Sequence, residues 1–349
     1  MWQTFFLRGQ ILKILTTGGM GYIGSHTVIA LLESGHEVVI LDNLSNANIE
    51  VLARLKKITG RDVPFIEGDV RNRELLAQTL ARYGFDAVIH FAGLKAVGES
   101  VAEPMKYYDN NVNGSLILMQ EMAKAGVFQL VFSSSATVYG DSKVVPLTES
   151  AEAGKTTNPY GASKYMVECM MRDIAQADER WSMVVLRYFN PVGAHESGLI
   201  GEAPNGTPNN LLPYICQVAV GKREFLSVFG GDYPTPDGTG VRDYIHVTDL
   251  ADGHVKAVQT HQHGGGFHIY NLGTGIGYSV LEMVKALEQA AQVKVGYQIV
   301  PRRPGDIAVC YADATLAKQI LGWQAQCGLE KMMQDSWRWQ SQNPNGYDV

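Results

Sequence analysis

Cysteine is scarce in this 349-residue chain, and Cys169, Cys216, Cys310 and Cys327 stand far apart with no Cys-x-x-Cys pair. That spacing argues against a disulfide framework or a zinc knuckle and fits a reduced, cytoplasmic protein. No apolar run reaches the roughly 18 residues of a membrane span, so no membrane segment is expected. Basic blocks are missing too: 29 Lys and Arg face 35 Asp and Glu, a net charge of −6. The concentrated cationic surface that nucleic acid demands is therefore not expected. Arg8, Gly9 and Gln10 interrupt the opening MWQTFFLRGQ before a signal-peptide core could form, and residues 1–10 read as an N-terminal extension. His261, His263 and His268 in THQHGGGFH lack a carboxylate at a useful spacing, and no metal site is expected.

What the chain does have is alternation. ILKILTTGG (11–19) is an apolar run ending in glycines, as a buried parallel strand should be. Further strands are read in HEVVILD (36–42), VPFIEGD, DAVIHFAG (86–93), QLVFSSS (129–135) and MVVLRYFN (183–190). Helices are expected after the first strand and near 49–59, 72–83, 105–125 and 160–177. This order gives a Rossmann-type α/β fold, a doubly wound parallel sheet covered on both faces. From about 191 the rhythm breaks into Gly-, Pro- and Asn-rich stretches. The expected organisation is a larger domain over 11–190, with a returning segment from about 240–275, and a smaller, loop-rich α/β lobe over 191–349.

Where the sheet begins, GGMGYIG places Gly18, Gly21 and Gly24 between a strand and a helix. Glycines there permit a tight turn and close approach of backbone to a pyrophosphate. Asp42 ends the second strand 18 residues after Gly24, where a carboxylate binds ribose hydroxyls and repels a 2′-phosphate. NAD is favoured over NADP. Asp69 and FAGLK (91–95) also fall at strand C-termini, the ligand-facing edge of such a sheet.

Two tyrosines precede a lysine by four residues: Tyr139 with Lys143 in YGDSK, and Tyr160 with Lys164 in NPYGASK. The first lies in a turn-like Gly-Asp-Ser segment, where residues four apart need not face each other. The second opens a helical stretch behind Asn158-Pro159, where i and i+4 share a face. A free tyrosine has a pKa of about 10, and a nearby ammonium favours its phenolate. Ser133 to Ser135, ending the preceding strand, supply a hydroxyl that bridges phenol and substrate. The second pair is the catalytic candidate.

With its glycine turn, the serine and the tyrosine–lysine pair, the chain resembles the extended branch of the short-chain dehydrogenase/reductase superfamily. TTGGMGYIGSH, ILDNLSN, FAGLKAVGES, VFSSSATVYG, LRYFNPVGAH, NNLLPYI, DGTGVRDYIHV, YNLGTG and RRPGD look like those of the UDP-glucose 4-epimerase family, in order and over nearly the whole chain beyond residue 11. The resemblance implies reversible C4 epimerisation of UDP-glucose and UDP-galactose through a 4-keto sugar, with NAD as cofactor. It implies Tyr160 as base, Lys164 as its electrostatic support and Ser135 as bridge. Gly18, Gly21, Tyr22, Ile23 and Gly24 would hold the pyrophosphate, Asp42 and Asn43 the adenosine ribose, and Asp69 and Val70 the adenine side. Phe91, Ala92, Gly93, Lys95, Asn110 and Phe189 match further cofactor positions. Ser135, Tyr160, Asn190, Asn210, Leu211, Phe229, Arg242, Tyr244, Arg303, Asp306 and Cys310 match substrate positions. The small Cys310 implies room for the N-acetyl group of UDP-GlcNAc and UDP-GalNAc.

Family members are commonly homodimers, and the helices near 105–125 and 160–177 are the expected bundle. Two rivals remain at this stage. A nucleotide-sugar 4,6-dehydratase needs an Asp-Glu pair after the serine, where this chain has Ala136 and Thr137. A non-catalytic NAD-sensing module has no need of Tyr160 and Lys164 together. Met20 in the glycine turn and the N-terminal extension are the departures from the family pattern.

Overall fold

The computed structural model describes residues 10–142, 144–303 and 306–348; the N-terminal extension up to residue 9 and Lys143 lie outside them. Its strands are β1 (Lys13–Thr17), β2 (Glu37–Asp42), β3 (Phe65–Glu67), β4 (Ala87–His90), β5 (Gln129–Ser135), β6 (Ser182–Tyr188) and β7 (Asn190–Val192). They continue as β8 (Leu226–Phe229), β9 (Val241–His246), β10 (Gly266–Leu272), β11 (Gly277–Ser279), β12 (Tyr297–Val300) and β13 (Val309–Cys310).

Seven strands form one parallel sheet in the order β10-β6-β5-β4-β1-β2-β3. Successive residues of a strand point to opposite faces, and here both faces are buried. Ile14, Val38, Ile40, Ile89, Val131 and Val184 enter one core. Their neighbours Leu15, Val39, Leu41, Val88, Leu130 and Val185 enter the other. The winding reverses between β1 and β4, opening a crevice beyond their C-terminal ends.

The second lobe has its own core, built from the helices Leu211–Ala219, Val280–Ala291 and Leu329–Gln342. Its sheet runs β11-β9-β13, with β7 also pairing with β9; β8 pairs with β12. The expected returning segment divides. β10 joins the large sheet and the helix Val247–Thr260 packs on the helix Tyr22–Glu33, but β9 belongs to the small sheet. The helix expected near 105–125 is present from Pro104 to Ala125, with an internal irregularity. A short helix, Val97–Ala102, precedes it, and between Pro104–Tyr107 and Gly114–Ala125 the chain makes a π-helical turn over Tyr108–Asn113.

Candidate active site

Lys164 is a buried cation of the site. It lies on the helix Pro159–Ala177, is 5% exposed, and donates from Nζ to the Ser133 carbonyl at 2.7 Å. Its ammonium also stands 4.8 Å from the Phe132 ring. Burial lowers its pKa to about 8, with the Glu168 carboxylate opposing. An unfolded lysine titrates near 10.4, so between about 8 and 10.4 the unfolded chain holds a proton that the folded chain has lost. Stability therefore rises with pH through that window on account of Lys164. Denaturant melts of the wild type and Lys164→Met across it should show the wild type gaining on the variant; parallel curves would contradict the assignment.

Tyr160 sits one turn earlier, at the start of the helix. Asn158 caps this end by accepting from Gly161 N–H at 2.9 Å, Pro159 occupies the first turn, and Ser163 donates to the Tyr160 carbonyl at 2.7 Å. Burial raises the phenol pKa, and a hydrogen bond with Ser135 opposes that rise. Ser135 ends β5, and its Oγ accepts from Thr137 N–H at 3.2 Å and from Thr137 Oγ1 at 3.0 Å. With those bonds accepted, the Ser135 proton is free to be donated toward the phenol or a ligand. Thr137 was not among the sequence candidates; its hydroxyl orients the serine. Tyr139 has a different setting. Its hydroxyl donates to Asn271 at 2.7 Å and its ring lies 4.7 Å from the Arg187 guanidinium, a buried packing position.

A cleft of about 880 Å³ runs from this trio along the crevice. Every expected cofactor residue lines it except Asp69, whose carboxylate is held by Arg71 at 2.8 and 2.9 Å and by Asn43 at 3.0 Å. That commitment keeps its carboxyl well below the ordinary range. Asp42 Oδ2 accepts from Met20 N–H at 3.0 Å and Oδ1 from Leu44 N–H at 2.9 Å, while the Met20 side chain is buried in the core.

The turn fits a dinucleotide pyrophosphate. A Cβ on Gly18, at φ +72°, would stand 2.5 Å from Ala92 N, and one on Gly24 would stand 2.3 Å from the Gly18 carbonyl. Gly21 caps the helix Tyr22–Glu33 without a side-chain hydrogen bond, and the first turn holds no acidic residue. The helix N-terminus therefore offers its N–H groups and positive dipole end to an anion.

On the substrate side, Ser135, Tyr160, Asn190 and Asn210 line the cleft, while Leu211, Phe229, Arg242, Tyr244, Arg303, Asp306 and Cys310 do not. Several of these are mutual neighbours in the second lobe. Arg303 pairs with Asp306 at 3.1 Å and stands 4.6 Å from the Phe229 ring; Arg242 pairs in register with Cys310, and Tyr244 with Asn190. Cys310 is buried, and burial pushes its thiol up to about 11. Among the described residues no group of three His, Cys, Asp or Glu could hold a metal. His261 instead stacks on His268 and bonds the Tyr270 hydroxyl. Two wall segments went unread in the sequence: Glu202 to Asn205, and Pro344 to Asp348 at the C-terminal end.

A switch-point crevice with a glycine turn, a terminal strand carboxylate and a Ser-Tyr-Lys trio defines a dinucleotide-dependent enzyme of the short-chain dehydrogenase type. The chain belongs to the NAD dependent epimerase/dehydratase family, whose model it matches over residues 14–273. It is 65% identical over 336 residues to the UDP-glucose 4-epimerase of Neisseria meningitidis serogroup C, covering 96% of this chain and 99% of that one. Its identity to the UDP-glucose 4-epimerase of Haemophilus influenzae is 64%, with the same coverage. The crystal structure of UDP-glucose 4-epimerase from Bifidobacterium longum in complex with NAD+ and UDP superposes with a TM-score of 0.93 at 54% identity, covering 96% of this chain and 99% of that one.

Proposed function

We propose that this chain is an NAD-dependent UDP-glucose 4-epimerase, interconverting UDP-glucose and UDP-galactose at C4. The observation that carries the reading is that Ser135, Tyr160 and Lys164 line one cleft together with the glycine turn and Asp42. Bound NAD supplies the hydride acceptor at sugar C4. Tyr160 Oη takes the 4-hydroxyl proton and later returns it, Ser135 donates to whichever oxygen is anionic, and the Lys164 ammonium stabilises the phenolate. Asp42 and the helix at Tyr22 hold the dinucleotide; Asn190 and Asn210 begin the UDP end, with Arg242 and Arg303 suited to its diphosphate. Ala136 and Thr137 after Ser135 give no acid–base pair for eliminating water, which disfavours the dehydratase.

Mass spectrometry of UDP-galactose deuterated at C4 tests this mechanism. The label should stay on the sugar through many turnovers. Wash-out to solvent, or loss of water from the sugar, would contradict it.

Acceptance of N-acetylated UDP-sugars is a further part of the proposal; it rests on the small size of Cys310 at the matched substrate position, although Cys310 is buried beside Arg242 and does not itself line the cleft. Cys310→Tyr is expected to remove turnover of UDP-N-acetylgalactosamine by about tenfold or more, on the scale of a pocket mismatch, while sparing UDP-galactose. Equal loss of both would contradict that role.

A homodimer is the proposed assembly. Val97, Val101 and Met105 are exposed on the short helices beside Pro159–Ala177, whose Met166 is exposed too; Met105 is 83% exposed. Light scattering should give twice the chain mass for the wild type, and the single mass for Val101→Asp with Met105→Asp. An unchanged mass in the variant would exclude this face. The four cysteines are all unpaired, in keeping with a cytoplasmic setting.

A further inference from the structure

Glu202 stands between the two halves of the cleft with no role assigned above. Its Oε1 accepts from Lys95 Nζ at 3.0 Å and from Asn210 Nδ2 at 2.7 Å. Lys95 belongs to the cofactor side and Asn210 to the UDP side. A single carboxylate oxygen therefore joins one anchor of each ligand, in a cleft built to take two anionic ligands. A carboxylate there is chemically costly unless its position matters.

The position is well fixed. Arg54 donates to the Leu199 carbonyl at 2.9 Å, and Asn343 Nδ2 donates to the Gly198 carbonyl at 2.9 Å. The Tyr347 hydroxyl accepts from Gly201 N–H at 3.3 Å and donates to the Gly201 carbonyl at 3.1 Å. Trp339 Nε1 donates to the carbonyl of Glu202 itself at 3.2 Å. Segment 198–202 is thus tied to the last helix and the C-terminal residues, and the Glu202 side chain is only 10% exposed.

We propose that Glu202 is a positioning residue that couples occupation of the cofactor half of the cleft to occupation of the UDP half; this rests on the epimerase reading above. Lys95 is half-exposed, so its ammonium can swing from the largely buried Glu202 to a phosphate oxygen, whose charge-assisted contact offsets the ion pair given up. When the ammonium turns to a phosphate, the carboxylate oxygen keeps Asn210 as its one partner, and that bond strengthens. Asn210 is then held ready for the UDP-sugar. By linkage, a UDP-sugar on Asn210 favours the state in which Lys95 holds the cofactor phosphate, so each ligand tightens the other.

The test is the rate at which the purified holoenzyme loses NAD on dilution, followed by fluorescence with and without saturating UDP. UDP should slow the loss in the wild type by about tenfold, a coupling in the ordinary allosteric range. In Glu202→Ala the ratio should fall to near one. In Glu202→Gln, whose amide oxygen still accepts from Asn210 but carries no charge, it should be intermediate. Melting curves of each variant register any general loss of stability, which would speed NAD loss with and without UDP alike and leave the ratio unmoved. A wild-type ratio of one, or a wild-type ratio retained in Glu202→Ala, would overturn the proposal while leaving the epimerase reading intact. A wild type that holds no NAD or binds no UDP would overturn that reading itself.

Discussion

Tyr160→Phe should lower the turnover number by about 10²–10⁴-fold, the ordinary contribution of a positioned acid–base group. NAD content and UDP affinity should stay near wild type, because the ring and the Asn158-Pro159 cap are untouched. The loss follows from geometry. The phenol begins the helix that carries Lys164, and Ser135 has its lone pairs engaged by Thr137 and its proton free. Without ligand, burial raises the phenol pKa, the wrong direction for a base. The site therefore depends on positive charge arriving with the cofactor and on the ammonium of Lys164. A variant retaining more than about a tenth of wild-type turnover would fall outside the range for general acid–base catalysis and would remove Tyr160 from the base's role.

Glu168→Ala should cost about 3–5 kcal/mol of stability, the effect of breaking a buried ion pair from one side. Glu168 and Arg187 are 2% and 3% exposed, with contacts of 2.6 and 3.1 Å, and Ser134 donates to the same carboxylate at 2.5 Å. Removing the carboxylate strands a guanidinium between β6 and the Tyr139 ring. Glu168→Gln should lose less, since its amide oxygen still accepts hydrogen bonds. Urea melts measure the difference; a loss below about 1 kcal/mol in Glu168→Ala would match an exposed pair and contradict the assignment of a buried one. The pair joins the helix of Tyr160 to the strand beside Ser135, so its loss should also broaden the geometry of the trio.

Much of this was readable from the sequence for local reasons. QLVFSSS matches β5 residue for residue because an apolar run after a helix has few alternatives to a buried strand. Asn158-Pro159 marks the start of the helix carrying Tyr160 and Lys164 through elementary capping chemistry. Other features leave no local trace. The π-helical turn at Tyr108–Asn113 keeps helical composition, and the wider turn shows only in its backbone bonds. The short strands of the second lobe sit among glycines and prolines, and β9 is placed in the small sheet by partners distant in sequence. Asp69, placed by the resemblance on the adenine side, pairs with Arg71 two residues on, a pairing visible in the order Asp-Val-Arg. Glu202 and Tyr347 lie in segments without motif, and their positions depend on contacts across more than a hundred residues.

Proton NMR of the purified protein with UDP-galactose and no added NAD tests the central claim most directly. The account predicts that UDP-glucose appears and that the two sugars settle at a fixed ratio, since cofactor held in the cleft is regenerated in every cycle. A 4-keto-6-deoxy product, or an unchanged spectrum even after NAD is supplied, would contradict it.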